Sequence, residues 1–150
     1  QPSYNMLNRW VERDGLLDTL DEEGIGSIAF TPLAQGLLTR KYLSGVPEGS
    51  RATQGKSLNP DAVTPEMVKA LNGLNDIAQS RGQTLAQMAI AWVLRGGVTT
   101  ALIGASKPEQ VVDCAGAVDN LAFTDDELSR IDELSGEKGL NLWAASSEGV

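Results

Sequence analysis

Apolar residues recur every three or four positions in five segments of this chain, with polar residues between them. A period of about 3.6 residues is typical of helices that bury one face. Ser or Thr followed three positions later by Glu or Gln satisfies free backbone N–H groups, so such pairs mark where helices begin. Such pairs open predicted helices at Thr84, Ser106 and Thr124. Two further helices are predicted, over 14–23 and from Thr64, which is an N-cap residue followed by Pro at the first helical position.

Short apolar runs, one of them rich in β-branched residues, lie between these helices and predict strands at 26–31 and 98–103. Residues 1–7 are typical of the end of a strand that runs into a loop. Strands that alternate with amphipathic helices indicate βαβ units and a parallel sheet. The irregular stretch of about 33–64, rich in Gly, Ser and Pro after residue 44, predicts a lid loop.

About three strands are too few for a closed structure. A parallel sheet of that size leaves exposed edges and open apolar faces, whereas a barrel of eight strands and eight helices needs roughly 250 residues. Without a repeat or an internal boundary, residues 1–150 are expected to form a single partial domain of something larger.

Charge and composition narrow the function classes. The net charge of −8 and scattered basic residues argue against nucleic acid and anionic membranes as partners. The chain has no His and a single cysteine, Cys114, so neither a metal site nor an internal disulfide is expected. No apolar run approaches the roughly 20 residues that span a bilayer, and a cytoplasmic location is expected.

The segment 102–110 carries the strongest local signal for chemistry. A strand ends, Gly104 permits close backbone approach, and a helix opens at once with Ser106 and Lys107 beside it. Free N–H groups and the dipole at a helix start attract anions, which favours a phosphate site. The residues alone equally allow Ser106 to be a simple helix cap and Lys107 to be solvated.

A second segment, 29–42, places Phe30 at the end of a parallel strand, where folds of this class bind ligands. An aromatic face there could stack on a flat ring, although composition alone favours an ordinary core Phe. Lys41 and Arg51 flank the lid and could pair with phosphates or face solvent.

Three segments, taken in order, resemble the sixth, seventh and eighth barrel strands of the aldo-keto reductase family. They read Gln-Pro-Ser-Tyr-Asn at 1–5, Phe-Thr-Pro-Leu-Ala-Gln-Gly at 30–36 and Leu-Ile-Gly-Ala-Ser at 102–106. The match covers essentially the whole chain. Within this family, the chain is most similar to the branch that contains potassium-channel β-subunits and bacterial L-glyceraldehyde 3-phosphate reductases. Residues 140–147 favour the reductases.

The resemblance implies an α/β fold, the C-terminal portion (about strands 6–8 and their helices) of a (β/α)8 TIM barrel that binds NADPH at its C-terminal face. Gln1 would hold the nicotinamide carboxamide and Phe30 would stack on its ring. The residues implied for the pyrophosphate path are Thr31, Pro32, Leu33 and Gln35. The phosphate contacts implied from the lid are Lys41 and Arg51. The residues implied for the adenosine 2′-phosphate end are Gly104, Ser106, Lys107 and Gln110.

Two positions depart from the family pattern. Asp113 stands where the family usually has Glu, near the adenine or its ribose, and Cys114 stands where Asn is usual. The family's catalytic Asp, Tyr, Lys and His come from the first half of the barrel. Because the chain lacks His, and Tyr4 and Tyr42 fall in other motifs, no catalytic residue is assigned here.

Three functions remain open at this point. The leading hypothesis is a fragment of an NADP-dependent oxidoreductase that reduces small aldehydes or ketones, such as methylglyoxal or a triose phosphate, once the missing N-terminal part of the barrel is present. The second is an NADP-binding regulatory module with little turnover. The third is a non-catalytic half-barrel that forms a homo-oligomer to cover its open face.

Overall fold

Parallel pairing between distant segments organises the fold, and the computed structural model describes it for residues 1–47, 61 and 63–136. Strand β1 (Ile28–Phe30) pairs with strand β2 (Thr100–Leu102), so that Phe30 lies opposite Leu102. On the other side of β1, Ser3 forms a parallel bridge with Phe30. The order across the sheet is residues 1–7, which we call the first segment, then β1, then β2. The predicted α/β class is confirmed.

Three of the four predicted cap positions are confirmed. Helix α3 (Pro65–Ser80) begins after Thr64, whose side chain accepts a hydrogen bond from the Met67 N–H. Thr84 and Thr124 form complete capping boxes. The helices that these two residues open are α4 (Leu85–Leu94) and α6 (Asp125–Ser135).

The cap expected at Ser106 is wrong. Helix α5 (Pro108–Ala115) has Lys107 as its N-cap residue, with no side-chain cap bond. A residue before proline is driven into an extended conformation, and Lys107 at φ −143° and ψ 145° follows that rule. Ser106 instead donates its N–H and its hydroxyl to Gln110 Oε1, at 2.8 and 3.2 Å.

The helix expected over 14–23 is confirmed as α2 (Leu16–Glu22). A further helical turn that the pattern did not predict, α1 (Trp10–Arg13), precedes it. Gly15 between them has φ +67°, a left-handed conformation that glycine adopts without a steric penalty and that a continuous helix does not allow. The strands are also shorter than the apolar runs that predicted them.

The core lies on one side of the sheet only. Most of α4 is fully buried against α3, the first segment and α6. Ala29 of β1 is fully buried on this side, whereas Ile28 and Leu102 on the opposite side are 43% and 51% exposed. We call the side of the sheet that carries Ile28, Phe30, Thr100 and Leu102 the open sheet face. Within the described ranges, no helix is long and apolar enough to cross a membrane.

Candidate functional site

Three neighbouring chain segments bring several of the predicted cofactor residues toward one edge of the sheet. Phe30 donates its N–H to the Pro2 carbonyl at 3.0 Å and accepts from the Tyr4 N–H at 3.2 Å, while Leu102 pairs on its other side. Because the three segments are parallel and in register, the residues that follow them leave at the same edge. Thr31 and Gly104 therefore start from neighbouring positions.

Of the two residues expected at the nicotinamide, Phe30 lies at this edge, and Gln1 lies two positions before Ser3, the bridge partner of Phe30. Phe30 is half-buried and, by the alternation of strand side chains, shares the open sheet face with Ile28. Gln1 is exposed at the start of the first segment. Both positions are accessible to a ligand lying along the open sheet face.

The turn after β1, residues 31–36, has an unusual backbone. Thr31, Ala34 and Gln35 have φ of +57°, +46° and +59°, although none of them is glycine. Each such residue costs on the order of 1 kcal/mol or more, and such strain concentrates at functional sites. Leu33, at φ −95° and ψ 14°, precedes left-handed Ala34, an alternation found in anion-binding concavities. The Ala34 and Gly36 N–H groups already donate to the Thr31 and Leu33 carbonyls at 2.9 and 2.8 Å, so the Leu33 and Gln35 N–H groups are the ones left for an anion at this point of the turn.

Two side chains near this turn carry buried polar atoms without a partner among the described residues. They are the Oε1 atom of Gln35 and the hydroxyl of Tyr42. The two side chains lie in the same region, because Gly36, the residue after Gln35, is close to Tyr42. A Cβ atom at position 36 would lie 3.8 Å from the Tyr42 ring. An unsatisfied buried polar group costs about 1–3 kcal/mol, so a polar ligand or a further protein segment would stabilise this region.

The predicted 2′-phosphate end is open. Gly104, Ser106, Lys107 and Gln110 are all exposed, and a Cβ at Gly104 would meet no atom within 4 Å. The Ser106 N–H and hydroxyl are already bonded to Gln110. A phosphate bound here would replace the Gln110 oxygen as their acceptor, with the Lys107 cation beside it.

The structure does not bring the other described candidates, Asp113 and Lys41, to the edge of the sheet where Thr31 and Gly104 lie. The Asp113 carboxylate accepts from the Thr84 hydroxyl at 3.2 and 3.3 Å, and the Asp113 carbonyl accepts from Gln87 Nε2 at 2.9 Å. Asp113 is thus tied to the start of α4. Lys41 is exposed, with its Nζ atom 5.9 Å from the Tyr42 ring centre. Arg51 and most of the predicted lid lie outside the described residues.

Sequence reasoning missed a buried polar network that holds the strained turn. Ser3 Oγ lies 2.7 Å from Thr31 Oγ1, and Asn5 Nδ2 donates to the Thr31 carbonyl at 2.9 Å. Ser3 and Asn5 are only 5% and 4% exposed. The available signal was the presence of two polar residues in an otherwise buried segment, because buried polar groups require partners.

A second polar cluster lies beside a groove of about 530 Å³, whose wall includes Phe123. Tyr4 donates to Glu12, and Arg95 donates to both Tyr4 and Glu12 at 3.0 Å. Burial raises the pKa of Tyr4, which keeps its proton. Burial also tends to raise the pKa of Glu12, but hydrogen bonds from Tyr4, Arg9 and Arg95 outweigh it and lower that pKa. The cluster is satisfied internally and anchors the first segment to α1 and α4.

The chain matches one family profile and is similar to several known proteins. The profile of the Aldo/keto reductase family matches residues 1–136. The L-glyceraldehyde 3-phosphate reductases of Escherichia coli O157:H7 and of strain K12 are each 51% identical over 153 residues, covering 99% of this chain and 44% of the relative. A candidate voltage-gated potassium channel β subunit from Schizosaccharomyces pombe is 39% identical over 140 residues, covering 89% and 41%.

A solved structure has a similar fold. It is a thermostable aldo-keto reductase in complex with the inhibitor epalrestat, with a TM-score of 0.60 and 24% identity, and the match covers 88% of this chain and 38% of that one. The chain therefore spans less than half the length of the relatives it matches.

Proposed function

This chain belongs to the aldo/keto reductase family, and from that premise we propose that it is the cofactor-binding, C-terminal portion of an NADPH-dependent carbonyl reductase. The observation that carries the proposal is the common edge formed by the first segment, β1 and β2, from which the strained turn 31–36 and the loop before α5 both emerge.

The open sheet face supports a place in a larger barrel. Ile28 and Leu102 are exposed there, and Val111, Val112 and Val118 near α5 are 50%, 73% and 63% exposed. Large apolar side chains exposed on a sheet face mark a contact with another protein segment, and the open sheet face is therefore the surface to be covered. We propose that the remaining strands of a (β/α)8 barrel cover it, with residues 1–150 as one part of that single domain.

The residues of the turn fit a dinucleotide. The Leu33 and Gln35 N–H groups suit a pyrophosphate, since those of Ala34 and Gly36 already bond within the turn. Gln35 Oε1, buried and without a partner among the described residues, lies in the same turn. Phe30 offers a ring on the open sheet face, and Gln1 offers an amide near it. When bound, the reduced nicotinamide supplies the hydride for the substrate carbonyl carbon.

This chain contributes binding and orientation. Phe30 and Gln1 would fix which ring face meets the substrate, and Lys107 with Ser106 would hold the phosphate at the other end. The carbonyl oxygen needs a proton as hydride arrives, and no residue of this chain is assigned that role. We propose that residues of the preceding barrel strands supply it.

Lys107 provides the first test, by nucleotide titration of the full-length protein that contains this chain. If the Lys107 cation pairs with the 2′-phosphate, Lys107→Ala weakens NADPH binding about tenfold or more and leaves NADH binding unchanged. The measurement is quenching of tryptophan fluorescence. Lys69→Ala, an exposed lysine on α3, is the matched control.

The outcomes separate two proposals. Equal weakening of NADPH and NADH by Lys107→Ala would show that Lys107 does not recognise the 2′-phosphate. If neither nucleotide quenches the wild-type fluorescence, the cofactor assignment itself is wrong.

The substrate proposal follows the named relatives. We propose that the substrate is a small aldehyde. The two compounds to assay are methylglyoxal and a triose phosphate, L-glyceraldehyde 3-phosphate. The 39% identity to a candidate channel β subunit favours a second function, an NADP-binding regulatory subunit. Full-length protein that oxidises NADPH with either aldehyde over many turnovers supports the reductase. Binding with negligible turnover supports the regulatory subunit.

A further inference from the structure

Asn5 lies behind the strained turn and contacts its first residue. Its Nδ2 atom donates to the Thr31 carbonyl at 2.9 Å, and its Oδ1 atom accepts from the Leu7 N–H at 2.9 Å. The side chain is therefore fixed at both ends, and Asn5 is only 4% exposed. A buried amide held in this way has one orientation, because a rotation would place oxygen against oxygen.

The Thr31 carbonyl is the point where the turn is held. It accepts from Asn5 and also from the Ala34 N–H at 2.9 Å, so one oxygen joins the first segment to the start of the turn. Thr31 has φ +57°, which a β-branched residue adopts only when surrounding contacts enforce it. The second contact on Thr31 is the bond between its hydroxyl and Ser3 at 2.7 Å.

We propose that Asn5 is a positioning residue that holds the turn 31–36 in its cofactor-binding conformation. This inference rests on the proposed function, because it assigns the cofactor to that turn. Asn5 acts through the Thr31 carbonyl and not by touching the ligand. Without its N–H donor, Thr31 relaxes toward an ordinary φ, and the Leu33 and Gln35 N–H groups that follow it lose their present directions.

Asn5→Asp is the sharpest test, because it is nearly isosteric and its effect depends on pH. An ionised carboxylate places negative charge against the Thr31 carbonyl and cannot donate, whereas the protonated acid can. Burial raises the pKa of a carboxyl, so the introduced group regains its proton as the pH falls. The wild-type amide does not titrate in this range.

The measurement is the dissociation constant of NADP⁺ for the full-length protein between about pH 8 and pH 5.5, expressed as the ratio of variant to wild type at each pH. The ratio removes the titration of the nucleotide phosphate, which affects both proteins. We expect binding about tenfold weaker at pH 8, with the ratio falling below about threefold at pH 5.5. Ser3→Ala, a milder second variant, should weaken binding at every pH, because it removes a bond that does not titrate.

Gln83→Glu is the matched control. Gln83 is 7% exposed, and its amide donates to the Asn120 carbonyl at 3.0 Å, away from the turn. In both variants a buried amide that donates to a backbone carbonyl becomes a carboxylate, although at position 83 the Arg81 Nε atom, which donates to Gln83 Oε1 at 2.8 Å, can pair with it. Gln83→Glu should therefore lower the thermal midpoint no more than Asn5→Asp does, and it should leave the NADP⁺ ratio unchanged. A purely structural role for Asn5 predicts that both variants behave alike.

Three results overturn the inference. They are an unchanged ratio for Asn5→Asp, a raised ratio that does not vary with pH, and a ratio matched by Gln83→Glu. Failure of the proposed function looks different, because the wild-type protein itself would then show no saturable NADP⁺ binding.

Discussion

Trp92→Ala should lower the stability of the protein by about 3–5 kcal/mol, the usual cost of removing a large aromatic side chain from a core. Trp92 is fully buried, and its ring lies between two guanidinium groups, with Arg95 at 3.6 Å and Arg9 at 5.0 Å from its centre. Tyr4 packs 5.3 Å away. The substitution removes the common partner of all three side chains.

The thermal midpoint of the full-length protein measures this effect, and we expect it to fall by roughly 10 °C. Trp92→Phe is the control. It keeps an aromatic ring between the two arginines and removes an indole N–H that has no hydrogen-bond partner among the described residues. Phe should therefore cost less than half as much as Ala, and an equal loss from both substitutions would contradict this account of the stacking.

Glu127→Ala should cost about 3 kcal/mol, because it leaves a charge buried and removes a helix cap. The Arg81 side chain is only 2% exposed and pairs with Glu127 at 2.7 Å. The same carboxylate accepts from the Thr124 N–H at 2.8 Å to complete the capping box of α6. Arg81 also lies 3.7 Å from the centre of the Phe123 ring, so its displacement would loosen the loop before α6.

Asp126→Ala tests whether this loss is specific. Asp126 is exposed in the same first turn and contributes through the helix dipole alone, so its removal should cost about 0.5 kcal/mol. Thermal unfolding of both variants gives the comparison. Similar losses from the two substitutions would show that the pairing with Arg81 contributes little.

Local chemistry explains what the sequence predicted well. Thr84 and Thr124 cap their helices through residues three positions away, so a short window contains all the necessary information. Ser106 fits the same rule, but two nearby residues compete with it. Pro108 makes Lys107 the cap residue, and Gln110 takes the Ser106 donors.

The strand ends that carry candidate residues were predictable, but the backbone conformation of the turn after β1 was not. Phe30 and Gly104 could be placed at strand ends from the order of apolar segments and the family resemblance. The left-handed backbone at Thr31 could not, since it depends on bonds from Ser3 and Asn5, 28 and 26 positions earlier. Contacts of that kind leave no trace in local propensity, and the roles of the cofactor residues stay predictions.

The parallel pairing of the strands also constrains how the chain folds. Ser27 and Thr99, which bond where the two strands begin, lie 72 positions apart, so a large loop must close before any β1–β2 contact forms. The capped helices α3 and α4 are neighbours in sequence and need no such closure. We expect this helical pair to form early and the sheet to form late, which makes strand docking the slow step of folding.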